Sequence, residues 1–195
     1  MNNGCYYDPF TVGQGFDIFG NLGYWYTHEA GQQRWYYFNG PKLYTTSGGT
    51  FADPTKRTVH EIGTVRFKDN VFIYEDDEHG RGAIELTAIA TSDDPRSGGY
   101  YDVTKAGSGL SVQHFGDRCS AYWYTYESGK QRWFSCSGEP SALNIYEWVG
   151  GVFRYPGGEL LPAGSATLTD TLFTYNLDAM ILLKAQGQLN LTRLF

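Results

Sequence analysis

The chain is written twice, and that duplication limits its architecture more than any other feature. The segment Tyr24-Trp25-Tyr26-Thr27-His28-Glu29-Ala30-Gly31-Gln32-Gln33-Arg34-Trp35 returns as Tyr122-Trp123-Tyr124-Thr125-Tyr126-Glu127-Ser128-Gly129-Lys130-Gln131-Arg132-Trp133, with nine of twelve positions identical. The match runs outward from there. Tyr6-Tyr7-Asp8 pairs with Tyr100-Tyr101-Asp102, Leu43-Tyr44 with Ile145-Tyr146, and Gly63 to Asp69 with Gly164 to Asp170. The offset drifts from 94 to 105, so the second copy carries small insertions. Solenoid repeats recur every 20–50 residues or so, which makes this a duplicated domain rather than a solenoid. The first repeat is read over residues 1–90 and the second over 100–195. Between them lies a polar, turn-rich linker at 91–99.

Each copy reads as all-β. Its segments are short, rich in Tyr, Phe, Trp, Thr, Val and Ile, and bounded by Gly, Asn or Asp. First-copy strands are expected near 5–9, 15–20, 22–28, 33–39, 42–46, 62–68, 71–76 and 82–88. Leu177 to Gln186 has helical spacing, but its counterpart is the turn at Asp76 to Arg81, so it reads as a longer hairpin. Two arrangements fit: tandem repeats of short antiparallel strands forming small β-barrels, or one pseudo-twofold barrel sharing strands.

The repeated motif is expected to be a hairpin. Gly31, third in the loop Glu29-Ala30-Gly31, suits a type I turn closed by a left-handed bulge. In that register Trp25 faces Trp35, Tyr26 faces Arg34 and Tyr24 faces Tyr36. One face would carry Trp25, Thr27, Gln33 and Trp35, and the other Tyr24, Tyr26, Arg34 and Tyr36. Both faces are aromatic, so neither is an ordinary solvated face. The candidate ligand-binding residues are therefore Tyr24, Trp25, Tyr26, Arg34 and Trp35, with Tyr122, Trp123, Tyr124, Arg132 and Trp133. Aromatic planes beside an arginine suit the walls of a concave site. The same residues also serve as fold determinants, through cross-strand pairs and cation–π contacts.

Composition excludes several classes. Lys and Arg number 15 against 21 Asp and Glu, a formal charge of −6, which is a poor basis for binding nucleic acid. Aromatic residues make up 17% and charged residues 18%, which argues against disorder. No apolar run reaches the ~20 residues of a membrane helix. The N-terminus shows neither a basic n-region nor an apolar h-region, so no signal peptide is read. The three cysteines and four histidines lack metal-ligand spacing, and no cofactor motif is present. Cys119 and Cys136 flank one hairpin and stand equally as a cross-strand disulfide or as two buried thiols. Asp76-Asp77-Glu78-His79 reads as a hairpin turn ahead of a cation site.

Gly4-Cys5-Tyr6-Tyr7-Asp8-Pro9, Gly13-Gln14-Gly15-Phe16, Trp25-Tyr26-Thr27, Gly31, Trp35 and a closing Leu-x-x-Leu together resemble a bacterial exported repeat. That repeat has the pattern Gly-x-Trp-Tyr-Asn-Pro, Gly-x-Gly-Phe, Trp-Tyr-Thr-Tyr. The chain departs from it at Tyr6 and Tyr100, where the pattern has Trp, and at Val103, where it has Pro. The resemblance implies an exported, periplasmic or extracellular protein and carries no assigned activity. Strand count and aromatic content resemble streptavidin-like and lipocalin-like barrels by architecture alone.

The leading functional expectation is a non-enzymatic protein binding a small molecule or glycan at aromatic-lined sites. One alternative is a hydrolase, lyase or isomerase acting inside one barrel. It would show acid–base groups in one half only, and His28, His79 and His114 are the candidates. The other alternative is a structural or assembly module.

Overall fold

A computed structural model describes residues 3–9, 14–49, 56–105, 107–150, 158–178 and 184–194. It contains two antiparallel sheets and no α-helix among the described residues. In the first copy the strands are β1 (Gly4–Tyr7), β2 (Gly15–Phe19), β3 (Leu22–Glu29), β4 (Gln32–Asn39), β5 (Lys42–Ser47), β6 (Thr58–Lys68), β7 (Val71–Asp76), β8 (Gly80–Glu85) and β9 (Thr87–Thr91). The second copy supplies β10 (Gly98–Tyr101), β11 (Gly109–Phe115), β12 (Arg118–Glu127), β13 (Lys130–Glu139), β14 (Ala142–Val149), β15 (Glu159–Leu168), β16 (Leu172–Asp178), β17 (Lys184–Asn190) and β18 (Thr192–Arg193). Of the segment Leu177 to Gln186, Leu177 and Asp178 lie in β16 and Lys184 to Gln186 in β17, paired as strands, and residues 179–183 lie outside the described residues. No helix among the described residues is long and apolar enough to cross a membrane.

Each sheet is an up-and-down meander that returns on itself. β8 pairs with β7, and after the single residue Leu86 the chain continues as β9, which pairs with β1. In the second copy Leu191 does the same between β17 and β18. Each module is therefore a nearly closed barrel. Two barrels in tandem form, rather than one shared barrel, because each sheet pairs only strands of its own copy.

The repeat extends to irregularities. A bulge in β6 at Ile62 and one in β15 at Ala163 interrupt equivalent ladders, and both extra residues are buried. The glycine that follows each bulge is required. A Cβ on Gly63 would lie 2.1 Å from the Glu75 carbonyl oxygen, and one on Gly164 would lie 2.1 Å from that of Asn176.

The hairpin tips differ from the expected three-residue loop. Glu29 pairs with Gln32, leaving Ala30 and Gly31 as a two-residue loop with φ of 48° and 78°. Ser128 and Gly129 do the same, at 50° and 82°. Two positive φ values define the primed turn whose twist matches a hairpin. The pairing therefore shifts by one residue. Trp25 faces Tyr36, Tyr26 faces Trp35 and Thr27 faces Arg34. In the second copy Trp123 faces Phe134 and Tyr124 faces Trp133. A one-residue shift moves every side chain of β4 and β13 to the other face. Trp35 thus shares a face with Tyr26, not with Trp25.

Three apolar clusters result. Trp25, Tyr36, Phe38 and Phe72 lie inside the first barrel. Trp123, Phe134, Phe173 and Tyr175 lie inside the second. The third joins Tyr24, Tyr26 and Trp35 to Tyr124, Tyr126 and Trp133, between the barrels. Burial follows from this. In β7 and β16 buried and more exposed residues alternate, the period of a strand with solvent outside. β2 is buried throughout, because its outer face meets the other barrel.

Candidate functional site

The junction is organised about a pseudo-twofold axis, and nearly every contact has a mate. Tyr24 stacks on Tyr124 at 4.9 Å between centroids, and Tyr122 stacks on Tyr26 at 4.4 Å. Gln33 donates from Nε2 to the Trp133 carbonyl (2.7 Å) and accepts from the Trp133 N–H (3.1 Å). Gln131 donates to the Trp35 carbonyl (2.8 Å) and accepts from the Trp35 N–H (3.2 Å). Each amide side chain satisfies both polar groups of a tryptophan backbone across the junction. Near the axis, Ser111 Oγ donates to Asp17 Oδ2, a bond between equivalent positions of the two copies. Burial pushes the Asp17 carboxyl up to about 7, against smaller opposing effects of hydrogen bonds from Cys5 and Ser111.

The symmetry breaks where the copies differ, and cavities open there. One, of about 320 Å³, is walled by Tyr24, Trp35, Tyr37, Tyr101 and Tyr124, with Arg57, Thr46 and Ser108. Both barrels contribute to it. Burial pushes Tyr24 up to about 12, and Tyr37 and Tyr124 upward as well, while the Arg57 charge pulls the last two down. Arg57 therefore sits close to these phenols. Trp35 is 3% exposed, and its indole N–H has no hydrogen-bond acceptor among the described residues. Its mate Trp133 donates to the Thr27 carbonyl at 3.3 Å.

The ten residues singled out in the sequence separate into four places. Tyr24, Trp35 and Tyr124 line this cavity. Tyr26, Tyr122 and Trp133 pack within the junction. Trp25 and Trp123 are sealed in the barrel cores, where their indole N–H groups donate to Gln14 (3.0 Å) and Ser108 (3.1 Å). Arg34 faces Thr27 rather than the expected Tyr26, though it still contacts Tyr36 on its own strand, and Arg132 faces Thr125. Both are tied to carboxylates near the hairpin tips. Arg34 contacts Glu29 at 3.0 Å and Glu78 at 3.3 Å. Arg132 contacts Glu127 at 3.3 Å and also Glu147. The first acid is repeated. The second comes from the β7–β8 turn in one copy and from β14 in the other.

Sequence comparison missed Tyr37, Thr46, Arg57, Tyr101 and Ser108. It highlighted what the copies share, whereas Tyr37, Thr46 and Ser108 differ from their counterparts Ser135, Trp148 and Gln14, and Arg57 lies in a stretch without a clear counterpart. That difference was the available signal.

The acidic turns singled out in the sequence have structural partners. Asp76 Oδ1 accepts from the backbone N–H of Glu78 and of His79, capping the turn, and the carboxyl also contacts His79 Nδ1. Hydrogen bonds from His79 hold Asp76 below the usual carboxylate range against the opposing effect of burial. His79 with Glu29 and Glu78 forms a grouping compact enough to hold a cation. Arg34 already supplies a positive charge to both of those glutamates. Asp102 caps its own turn through Thr104. Cys5, Cys119 and Cys136 are free buried thiols, and Cys136 faces Ala121 across the hairpin rather than Cys119.

The fold and junction define a duplicated up-and-down β-barrel protein with a composite cavity. No family model, curated protein or solved structure matches the chain.

Proposed function

We propose that this is a non-enzymatic binding protein whose ligand occupies the junction cavity. One observation carries the reading: five aromatic side chains from two barrels surround one arginine in a space of about 320 Å³. Ligand sites are concave and mostly apolar, with few placed polar groups, and they favour domain interfaces. The chemistry fits a small molecule with a flat apolar body and one anionic group. The rings would pack on the body, and Arg57 would face the charge. This site is composite, drawing on both copies, where the sequence suggested a matching site within each.

The test is thermal unfolding of the protein with millimolar benzoate, indole-3-acetate or glucuronate. At least one should raise the Tm, and Arg57→Gln should abolish the shift while the protein stays folded. A second variant, Tyr37→Ser, installs the residue of the other copy and should weaken the effect. No shift with any of the three acids would return the junction to a scaffold role.

A catalytic reading draws on a different observation. The Asp76–His79 pair belongs to the first barrel alone, since Leu177 stands at the position aligned with Asp76. A rate that changes through the histidine range and is lost in His79→Gln would favour it.

A further inference from the structure

A second cavity, of about 300 Å³, opens elsewhere along the junction. Gly31, Gln32 and Gln33 at the first hairpin tip form one side. Glu127, Lys130, Arg132, Glu147 and Trp148 of the second barrel form much of the other. We propose that this cavity binds a neutral, polyhydroxylated ligand, the chemistry of an uncharged sugar.

The duplication supplies an internal control. Glu147 and Trp148 stand where the first copy has Thr45 and Thr46. The surrounding construction is the same in both copies. Equivalent bulges follow Leu43 and Ile145, and equivalent glutamines reach across the junction. The first barrel folds with two buried threonines at these positions. The first barrel takes the second acid of its arginine pair from Glu78 instead, so neither a carboxylate nor an indole is required at these two positions to build the barrel. Glu147 is nevertheless 2% exposed. Burying a carboxylate is costly unless it is paired. Two adjacent departures from the repeat, one of them a buried carboxylate paired with Arg132, line the same cavity.

The charges identify the ligand class. Glu127 and Glu147 share Arg132. With Lys130 on the cavity wall, the four formal charges cancel. An anion would meet two carboxylates, and a cation would compete with Arg132. A neutral ligand meets neither penalty. Two carboxylates offer about eight lone-pair sites, more than one guanidinium occupies, and the remainder accept from hydroxyl groups. Gln33 and Gln131 are already committed to tryptophan backbones, so they hold the wall rather than the ligand. Trp148 is half-buried and supplies an apolar surface for the CH face of a sugar ring.

The experiment is an NMR titration of the ¹⁵N-labelled full chain with cellobiose, maltose, lactose and N,N′-diacetylchitobiose. It follows the indole N–H signals of the five tryptophans. The Trp148 signal is assigned from Trp148→Thr, which installs the first-copy residue. The expected result is that at least one disaccharide moves the Trp148 signal at millimolar concentration. Trp148→Thr, read on the remaining signals, and Glu147→Thr should each weaken that binding by at least about tenfold. Glu147→Gln keeps shape and volume, and should weaken binding while the other four indole signals stay in place. The proposal is overturned if no disaccharide moves the Trp148 signal, or if Trp148→Thr binds as well as the parent. It is also overturned if glucuronate or glucosamine binds more tightly than every neutral sugar.

Discussion

The Gln33 side chain bonds to both backbone polar groups of Trp133, at 2.7 and 3.1 Å, as a neighbouring strand would. Gln131 does the same to Trp35. Two backbone donors and two acceptors in the junction are thus satisfied by side chains from the opposite barrel. Gln33→Leu keeps much of the volume and removes both bonds. An unsatisfied buried polar group costs about 1–3 kcal/mol, so this variant should lose roughly 2–4 kcal/mol of stability. Urea unfolding measures it, and a loss under about 1 kcal/mol would show that the amide is not holding the junction.

Asp17 makes stability depend on pH. Its carboxyl is fully buried, Oδ2 accepts from Ser111, and burial lifts it to about 7. An acid whose pKa is higher folded than unfolded binds its proton more tightly in the native state. Its contribution is therefore most favourable below the unfolded value of about 4, and is lost as pH rises to about 7. Asp17→Asn should remove that dependence. It should stabilise the protein at pH 8 by on the order of 2–4 kcal/mol relative to the parent, and by little at pH 4. Chemical unfolding at the two pH values checks it. An equal effect at both would mean that ionisation of Asp17 is not the cause.

Much of this arrangement was legible in the sequence. The aromatic character of both hairpin faces announced that neither faces water, and one indeed lines a barrel while the other meets the second barrel. The register was not legible, because it turned on one backbone choice. Ala30 and Ser128 accept φ near 50°, which a non-glycine residue adopts at a cost of about 1–2 kcal/mol. That cost falls on the loop, while the gain is spread over a whole hairpin of buried rings. Arg57 and Tyr37 were invisible for another reason. A repeat draws attention to what both copies share, and these two residues stand where the copies differ.

Trp25 and Trp123 behave as core residues in separate barrels. Each is at most 1% exposed and packed against rings of its own barrel. Replacing a buried Trp by Ala costs about 3–5 kcal/mol. The two variants should each lose that much, and the double variant should lose about the sum, because the sites share no partners. Denaturant titration of the three variants measures it. A loss below about 1 kcal/mol in either single variant would contradict a sealed core.

The thiols provide a separate probe of the junction and of the second core. Burial pushes Cys119 up to about 11 and Cys136 higher still, and Cys5 is raised by burial and by its proximity to Asp17. At pH 8 a thiol with a pKa near 11 is ionised to about one part in a thousand, and only the thiolate reacts. All three side chains are also inaccessible in the folded chain. A disulfide reagent at pH 8 should therefore label none of them in the native protein and all three in urea. Because labelling waits on opening, its rate in rising urea should track unfolding of the barrel that holds the cysteine. Cys5, beside Asp17, reports on the first barrel's face at the junction, and Cys119 and Cys136 on the second barrel's core. Labelling of all three at one rate would mean that the glutamine-bridged junction makes the two barrels unfold as one unit. Early labelling of Cys5 alone would mean that the junction or the first barrel opens while the second core stays folded.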